Sequence, residues 1–168
     1  MGNTAWVNQL TYAPIGATRD GQLPPGYRHL LYRVLLGRGA DLERRAGEAV
    51  VTFAMHRAIG ARVTASGERA APGVRVTVAF GPLRAPCEVV WASPTGFGYG
   101  TLAGHPAAGE EAFQVLRDEQ DRVWFTVTAF SRPAGLLMRL GGPLTVVFQR
   151  AYARLCGRAL RRICTVKP

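Results

Sequence analysis

The chain has 168 residues, of which 48% are apolar and 19% charged. That length suits one domain whose core buries about two thirds of the unfolded surface, and the composition excludes an intrinsically disordered chain. The formal net charge is +10, yet the basic residues are twenty Arg and the single Lys167. Beside so much Ala, Gly, Val and Pro, this is the bias of a GC-rich coding sequence, so the charge is discounted as a nucleic-acid signal.

Three cysteines, Cys87, Cys156 and Cys164, form no C-x-x-C pair. They exclude a disulfide framework and a zinc knuckle and point to free, buried thiols in a reducing compartment. No stretch approaches the roughly 18 uninterrupted apolar residues of a membrane helix. The N-terminus, MGNTAWVNQL, has no basic and no apolar signal region. A cytoplasmic protein without metal or cofactor is expected.

Residues 1–26 read as an irregular arm, punctuated by Pro14, Gly16, Gly21, Pro24, Pro25 and Gly26, with a short strand near Leu10–Tyr12. Tyr27–Leu36 alternates Leu30, Tyr32, Val34 and Leu36 and predicts the first full strand, ended by Gly37-Arg38-Gly39. His29 and Arg33 lie on its other, solvent-facing side. Asp41 to Ile59 predicts one helix, with Leu42, Ala46, Ala49, Phe53 and His56 on one face and Gly60 as its stop.

A run of strands follows. Ala61–Ala65 is short, Val74–Phe80 alternates Val76, Val78 and Phe80, and Cys87–Ala92 alternates Cys87, Val89 and Trp91. Phe97–Leu102 and Glu111–Leu116 flank the loop Ala103–Gly109, and Val123–Phe130 is the strongest strand. Ala134–Cys164 reads as a long helix, kinked or broken at Gly141-Gly142-Pro143, where proline removes a backbone donor. Its apolar stripe is read as Phe148, Tyr152, Leu155, Ala159 and Ile163, with Arg150, Arg154, Arg158 and Arg161 opposite. This order predicts an α+β helix-grip fold spanning 1–168, a curved antiparallel sheet around a long kinked C-terminal helix. Such a layout leaves an apolar cavity between sheet and helix.

FGYGTLAGHPAAGEEAF, Phe97 to Phe113, holds the densest polar chemistry. One reading is a hairpin with structural polar contacts, in which Gly98 and Gly100 let another element approach closely. The other is a site. Tyr99 and Thr101 share a strand face, and Glu111 returns near them across the ladder. A phenol, a hydroxyl and a carboxylate there orient a polar ligand head or move a proton, and His105 titrates near neutral pH. H-x-x-x-x-E-E matches no standard metal spacing. His56, on an apolar helix face, reads as a core residue or a cavity group. Arg132 is placed to pair with Glu110 or Glu111, or with a ligand carboxylate. There is no G-x-S-x-G, H-E-x-x-H or P-loop, and the glycines near 37 lack the rest of a dinucleotide fingerprint.

The same stretch reads YGTL-x-GHP-x-x-GEE-x-F. With Leu36-Gly37-Arg38-Gly39, Met55-His56-Arg57, Ala129-Phe130-Ser131-Arg132-Pro133, Gly142-Pro143 and Gln149-Arg150, it resembles the domain-of-unknown-function family numbered nineteen-ninety, over roughly Tyr12 to Arg162. Phe53-Ala54 departs from that pattern, where a tryptophan is expected before the Met-His pair. The resemblance brings no established activity. It implies a layout similar to the START-like, SRPBCC superfamily, which includes lipid and hormone carriers and some polyketide cyclases.

Two functions follow as expectations. One is a binder of a small, mostly apolar molecule of lipid, isoprenoid or polyketide type. Phe53, Trp91, Phe97, Phe125 and parts of the kinked last helix would line its cavity, and Tyr99, Thr101, His105, Glu111 and Arg132 would supply polar contacts. The other is an enzyme using that cavity for cyclisation, dehydration or isomerisation, with Glu111 or His105 as base and Tyr99 donating to a developing oxyanion. A third reading is weak binding of anionic lipid or nucleic acid by the Arg stripe of the last helix. No aromatic residues interleave with those arginines, so nucleic acid is not expected.

Overall fold

The computed structural model describes residues 9–134 and 142–165, with side chains of the last helix from residue 146. Seven strands form one antiparallel sheet: β1 (Arg28–Arg38), β2 (Arg62–Ala65), β3 (Arg75–Phe80), β4 (Leu83–Ser93), β5 (Gly96–Thr101), β6 (Ala107–Arg117) and β7 (Arg122–Pro133). Their spatial order is β1-β7-β6-β5-β4-β3-β2, so the chain crosses once, from β1 to the far edge, and then meanders back to pair β7 with β1. The crossing segment carries two helices, α2 (Ala40–Val51) and α3 (Ala54–Ala58); α1 (Ala17–Asp20) is one turn in the N-terminal arm, and α4 (Gly142–Thr165) closes the fold. This is the helix-grip layout that the element order predicts.

The core lies between the sheet and α2, α3 and α4. Phe53, Phe97, Phe113, Phe125, Met55 and Leu160 are fully buried in it. On β1, Leu30, Tyr32, Val34 and Leu36 pack inward, while Leu31 on the opposite face is 74% exposed. Two helical glycines permit close packing. A Cβ on Gly47 would stand 2.9 Å from the Thr95 backbone, and one on Gly157 would stand 2.9 Å from Tyr32 Oη.

Three details differ from the periodicity. The helix over 41–59 is interrupted at Thr52-Phe53, where Phe53 adopts a left-handed φ of 61°. Thr52 Oγ1 turns back to donate to the Glu48 carbonyl, and Arg57 Nη1 takes the Thr52 carbonyl out of the helical ladder. The Phe53 ring, completely buried, packs 5.3 Å from Phe97 and offsets the backbone strain. This break occupies the position where the family resemblance lacked its tryptophan.

The second difference is a register shift between Val89 and Trp91 in β4. One extra residue flips everything beyond it to the other face. Trp91 therefore leaves the face of Cys87 and Val89 and lies across Gly98, where a Cβ would stand 2.3 Å from its indole nitrogen. Third, the inward stripe of α4 is Tyr152, Ala153, Cys156, Ala159 and Leu160, while Phe148 and Leu155 are 50% and 44% exposed. The expected first half of this helix and the kink at Gly141-Gly142-Pro143 fall largely on residues 135–141, outside the described residues; α4 is described over Gly142–Thr165.

The arm over residues 9–27 covers the outer face. Leu10 bridges Leu102, and Tyr12, Ala17, Leu23 and Tyr27 pack around Phe130 as a second, smaller apolar cluster. Among the described residues no helix is long and apolar enough to cross a membrane.

Candidate functional site

Core side chains fill one end of the space between sheet and helix and leave the other end open. There a cavity of about 320 Å³ is bounded by β3 to β7, the β5–β6 loop and the first turns of α4. Its apolar wall includes Val78, Phe80, Leu83, Ala85, Ala129 and Phe148. The polar residues that border it are few: Tyr99, Thr101, His105, Glu110, Glu111, Ser131, Gln149 and Tyr152, with the Glu110 carboxylate itself bound to the arm.

Glu110 and Glu111 are neighbours in sequence on opposite faces of β6. Glu111 is registered against Tyr99 and Ala129, Glu110 against Gly100 and Phe130. The Glu110 carboxylate belongs to the outer face. It accepts hydrogen bonds from Tyr12 Oη (2.7 Å), Gly16 N (2.7 Å), Thr18 N (3.0 Å) and Thr18 Oγ1. It anchors the arm, and Trp91 joins it by donating its indole N–H to Thr18 Oγ1 at 2.9 Å. The two glycines of the FGYG stretch serve this anchor: Trp91 covers Gly98, and the Tyr12 hydroxyl lies where a Cβ of Gly100 would be.

Glu111 faces inward. Its one hydrogen bond among the described residues is from the Tyr99 hydroxyl, at 3.3 Å. Burial pushes its pKa up to about 7, only partly opposed by that bond. Burial also raises the phenols of Tyr99 and Tyr152 and the thiols of Cys87 and Cys156, all of which feel the Glu111 charge. Every group facing this carboxylate is thus held neutral. The Tyr152 hydroxyl is buried and makes no hydrogen bond of normal geometry among the described residues, although it stands close enough to Tyr99 to influence its ionisation.

His105 lies on the cavity wall with Nδ1 2.9 Å from both the N–H and the carbonyl of Ala107, which ties the ring to the start of β6. Burial lowers its pKa to about 4, so the imidazole is neutral at pH 7. Thr101 Oγ1 accepts from Gly109 N at 3.0 Å and meets Thr11 Oγ1 at 2.6 Å, so it pins both loop and arm. Gln149 Nε2 donates to Ser131 Oγ at 2.8 Å and fastens the start of α4 to β7.

The structure therefore brings Tyr99, Thr101, His105 and Glu111 together at the cavity. It places Phe53, Phe97 and Phe125 in the solid core beyond its wall and Trp91 on the other face. His56 is fully buried behind Tyr99 and Tyr152, ringed by Phe53, Phe97 and Phe113, and neither of its nitrogens has a partner among the described residues. Arg132 is exposed, its guanidinium 5.1 Å from the Tyr27 ring, and it forms no ion pair with either glutamate. Among the arginines of α4, Arg161 is bound to the Leu35 carbonyl, and Arg150, Arg154 and Arg158 are exposed. Phe80, Phe148 and Tyr152 are wall residues that sequence reasoning assigned only to strand or helix stripes. Their signal was the i, i+4 pair on α4, which stacks at 6.3 Å. Among the described residues no cluster of His, Cys, Asp and Glu is arranged to hold a metal.

Solved structures share the fold. Norcoclaurine synthase from Thalictrum flavum superposes with a TM-score of 0.61 at 9% identity, covering 84% of this chain and 96% of that one. A hypothetical protein of Helicobacter pylori matches with a TM-score of 0.61 at 9% identity, over 96% and 98% of the two chains. Sequence relatives are nearer. A UPF0548 protein of Deinococcus radiodurans is 34% identical over 170 residues, covering 90% of this chain and 86% of that protein. A UPF0548 protein of Arabidopsis thaliana is 43% identical over 65 residues, 39% of this chain and 32% of its own. The profile of the family described as "Domain of unknown function (DUF1990)" matches residues 11–159, and the chain belongs to that family.

Proposed function

We propose that the protein binds a small, mostly apolar organic molecule in the cavity between the sheet and α4. The supporting observation is the cavity itself: about 320 Å³, walled by aliphatic and aromatic side chains, with a few polar groups converging on it. That is the usual composition of a small-molecule site, at the lower end of the usual size range. The likeness to norcoclaurine synthase supports the fold as a frame for such a site and nothing finer. Native mass spectrometry of gently purified protein, followed by solvent extraction, tests the reading. A released apolar compound that rebinds wild type and binds a Tyr152→Trp variant more weakly, because the larger ring intrudes on the cavity, is the expected result. Unaltered rebinding to that variant would move the ligand elsewhere.

A second reading is an enzyme acting in the same cavity, favoured by one observation. Glu111 has its pKa near 7 and touches the Tyr99 hydroxyl, so a proton acceptor and a hydrogen-bond donor stand side by side in a water-poor space. Glu111 would take a proton from the bound molecule and Tyr99 would stabilise the resulting oxyanion, as cyclisation, dehydration or isomerisation requires. Glu111→Gln with retained affinity and lost turnover would establish it. Wild type that leaves every bound compound unchanged would exclude it.

A further inference from the structure

We propose that the molecule held in this cavity carries an amino group, which binds as an ammonium against the Glu111 carboxylate and the surrounding aromatic rings. The inference rests on the cavity reading above and narrows its ligand class.

The two adjacent glutamates make the case. An ionised carboxylate offers about four acceptor positions. Glu110 receives four hydrogen bonds from the arm. Glu111, one residue on, receives only one, and at 3.3 Å. Its remaining acceptor capacity opens to the cavity. Buried carboxylates persist where a cation or several donors pair with them. Among the described residues the titratable groups that face it are neutral: Tyr99 on β5, Cys87 on β4, Tyr152 and Cys156 on α4, and His105 in the loop. No Arg or Lys stands among the described residues of the wall. The described residues supply the anion and no cation, and the ligand is the partner we propose for it.

The rest of the wall fits that partner. Phe80, Phe148 and Tyr152 lie within 6.0 to 6.4 Å of one another, and the Tyr99 ring borders the same space. Aromatic faces attract cations. A ligand anion would meet only the Glu111 charge, and its repulsion argues against fatty or polyketide carboxylates. A neutral carbonyl ligand would use Glu111 as a proton donor and would bind best in acid, the opposite pH dependence to an ammonium.

Displacement of an uncharged apolar dye, N-phenyl-1-naphthylamine, by three probes of similar size separates these cases: 2-phenylethylamine, 2-phenylethanol and phenylacetate. At pH 8 the amine is expected to bind at least about tenfold tighter than the alcohol, and phenylacetate weakest. The amine's advantage should fade below pH 7, where free Glu111 is protonated. Glu111→Gln should weaken the amine by about 30-fold or more, as removing one member of a buried charge pair does, and affect the alcohol far less. If that variant does not fold, calorimetry of wild type at pH 6.5 in buffers of different ionisation enthalpy decides: amine binding should release roughly half a proton or more from Glu111. Dye binding with alcohol or phenylacetate matching the amine at pH 8 would overturn the ammonium and leave the cavity standing. Failure of the dye and all three probes would overturn the cavity reading and this one with it.

Discussion

Tyr12 and Glu110 meet across 98 positions of the chain, the phenol donating to the carboxylate at 2.7 Å in a buried site on the outer face. That bond and the donors of Gly16 and Thr18 hold the N-terminal arm to β6. Tyr12→Phe should cost about 1.5–3 kcal/mol, the range for a hydrogen bond to a charged group. Glu110→Gln should cost more, because its amide presents a donor to a ring of donors. In both variants protease cleavage within residues 9–27 should precede global unfolding in urea. Dye binding in the cavity should be retained, since Glu111 lies on the other face. An arm equally resistant in wild type and variants would show that the apolar cluster around Phe130 holds it unaided.

Gly98 and Gly100 should be intolerant of even a methyl group, for two separate reasons on one face. A Cβ at Gly98 would lie 2.3 Å from Trp91 Nε1, and one at Gly100 would lie 2.2 Å from Tyr12 Oη. Gly98→Ala should displace the indole and break its bond to Thr18, costing about 1–3 kcal/mol as overpacking does. Its tryptophan emission should shift to the red, because Trp91 is 5% exposed in the native protein. Gly100→Ala should leave that emission in place and loosen the arm as Tyr12→Phe does. Identical spectra for the two variants would contradict the separation.

Element order made the architecture legible, because alternation in β1, β3 and β7 and the 3.6-residue period of the last helix are local signals. The pairing of Tyr99 with Glu111 was legible for the same reason: a short loop fixes the register of two adjacent strands. What escaped was non-local. A single inserted residue before Trp91 reversed its face, and nothing in the pattern Cys87, Val89, Trp91 marks a bulge. Phe53 looked like one more helical core position, while its left-handed backbone depends on bonds from Thr52 and Arg57. The division of Glu110 from Glu111 follows from strand alternation, but the arm that claims Glu110 returns from nearly 100 residues away. The last helix was expected to line the cavity in part, but which of its apolar stripe residues do so, Phe148 and Tyr152, emerges only when α4 crosses the open end of the sheet.

Glu111 should make the free protein less stable as pH rises through neutrality. Its pKa is raised from 4.5 in the unfolded chain to about 7 in the fold, so the native state binds the extra proton between those values. Stability from this group is present in full below pH 4.5 and lost as pH approaches 7. Above pH 7 the loss amounts to a few kcal/mol, reduced by whatever water enters the cavity. Glu111→Gln should therefore be more stable than wild type at pH 8 and equal to it near pH 4.5, as measured by urea denaturation. A variant less stable at pH 8 would mean that the carboxylate has a stabilising partner.

His56 should act in the opposite sense, and its test concerns the core rather than the cavity. The ring is fully buried, both nitrogens lack partners among the described residues, and burial with the nearby Arg57 charge lowers its pKa from 6.5 to about 3. A depressed pKa contributes stability that is complete above pH 6.5 and is lost as pH falls towards 3, because the unfolded chain takes up the proton first. His56→Leu removes both the titration and an orphaned N–H, whose burial costs about 1–3 kcal/mol. The variant should match or exceed wild type at pH 7, even after losing the ring contacts to Phe97 and Phe113. Between pH 7 and pH 4 its advantage should widen by on the order of 3 kcal/mol. Both limbs can be read from urea midpoints at the two pH values, with Glu111→Gln as the common background so that the opposing titration of that carboxyl is removed. A large loss of stability at pH 7 would show that ring packing or a buried water outweighs the orphaned donor, and an acid limb unchanged on substitution would show that His56 titrates alike in the fold and the unfolded chain.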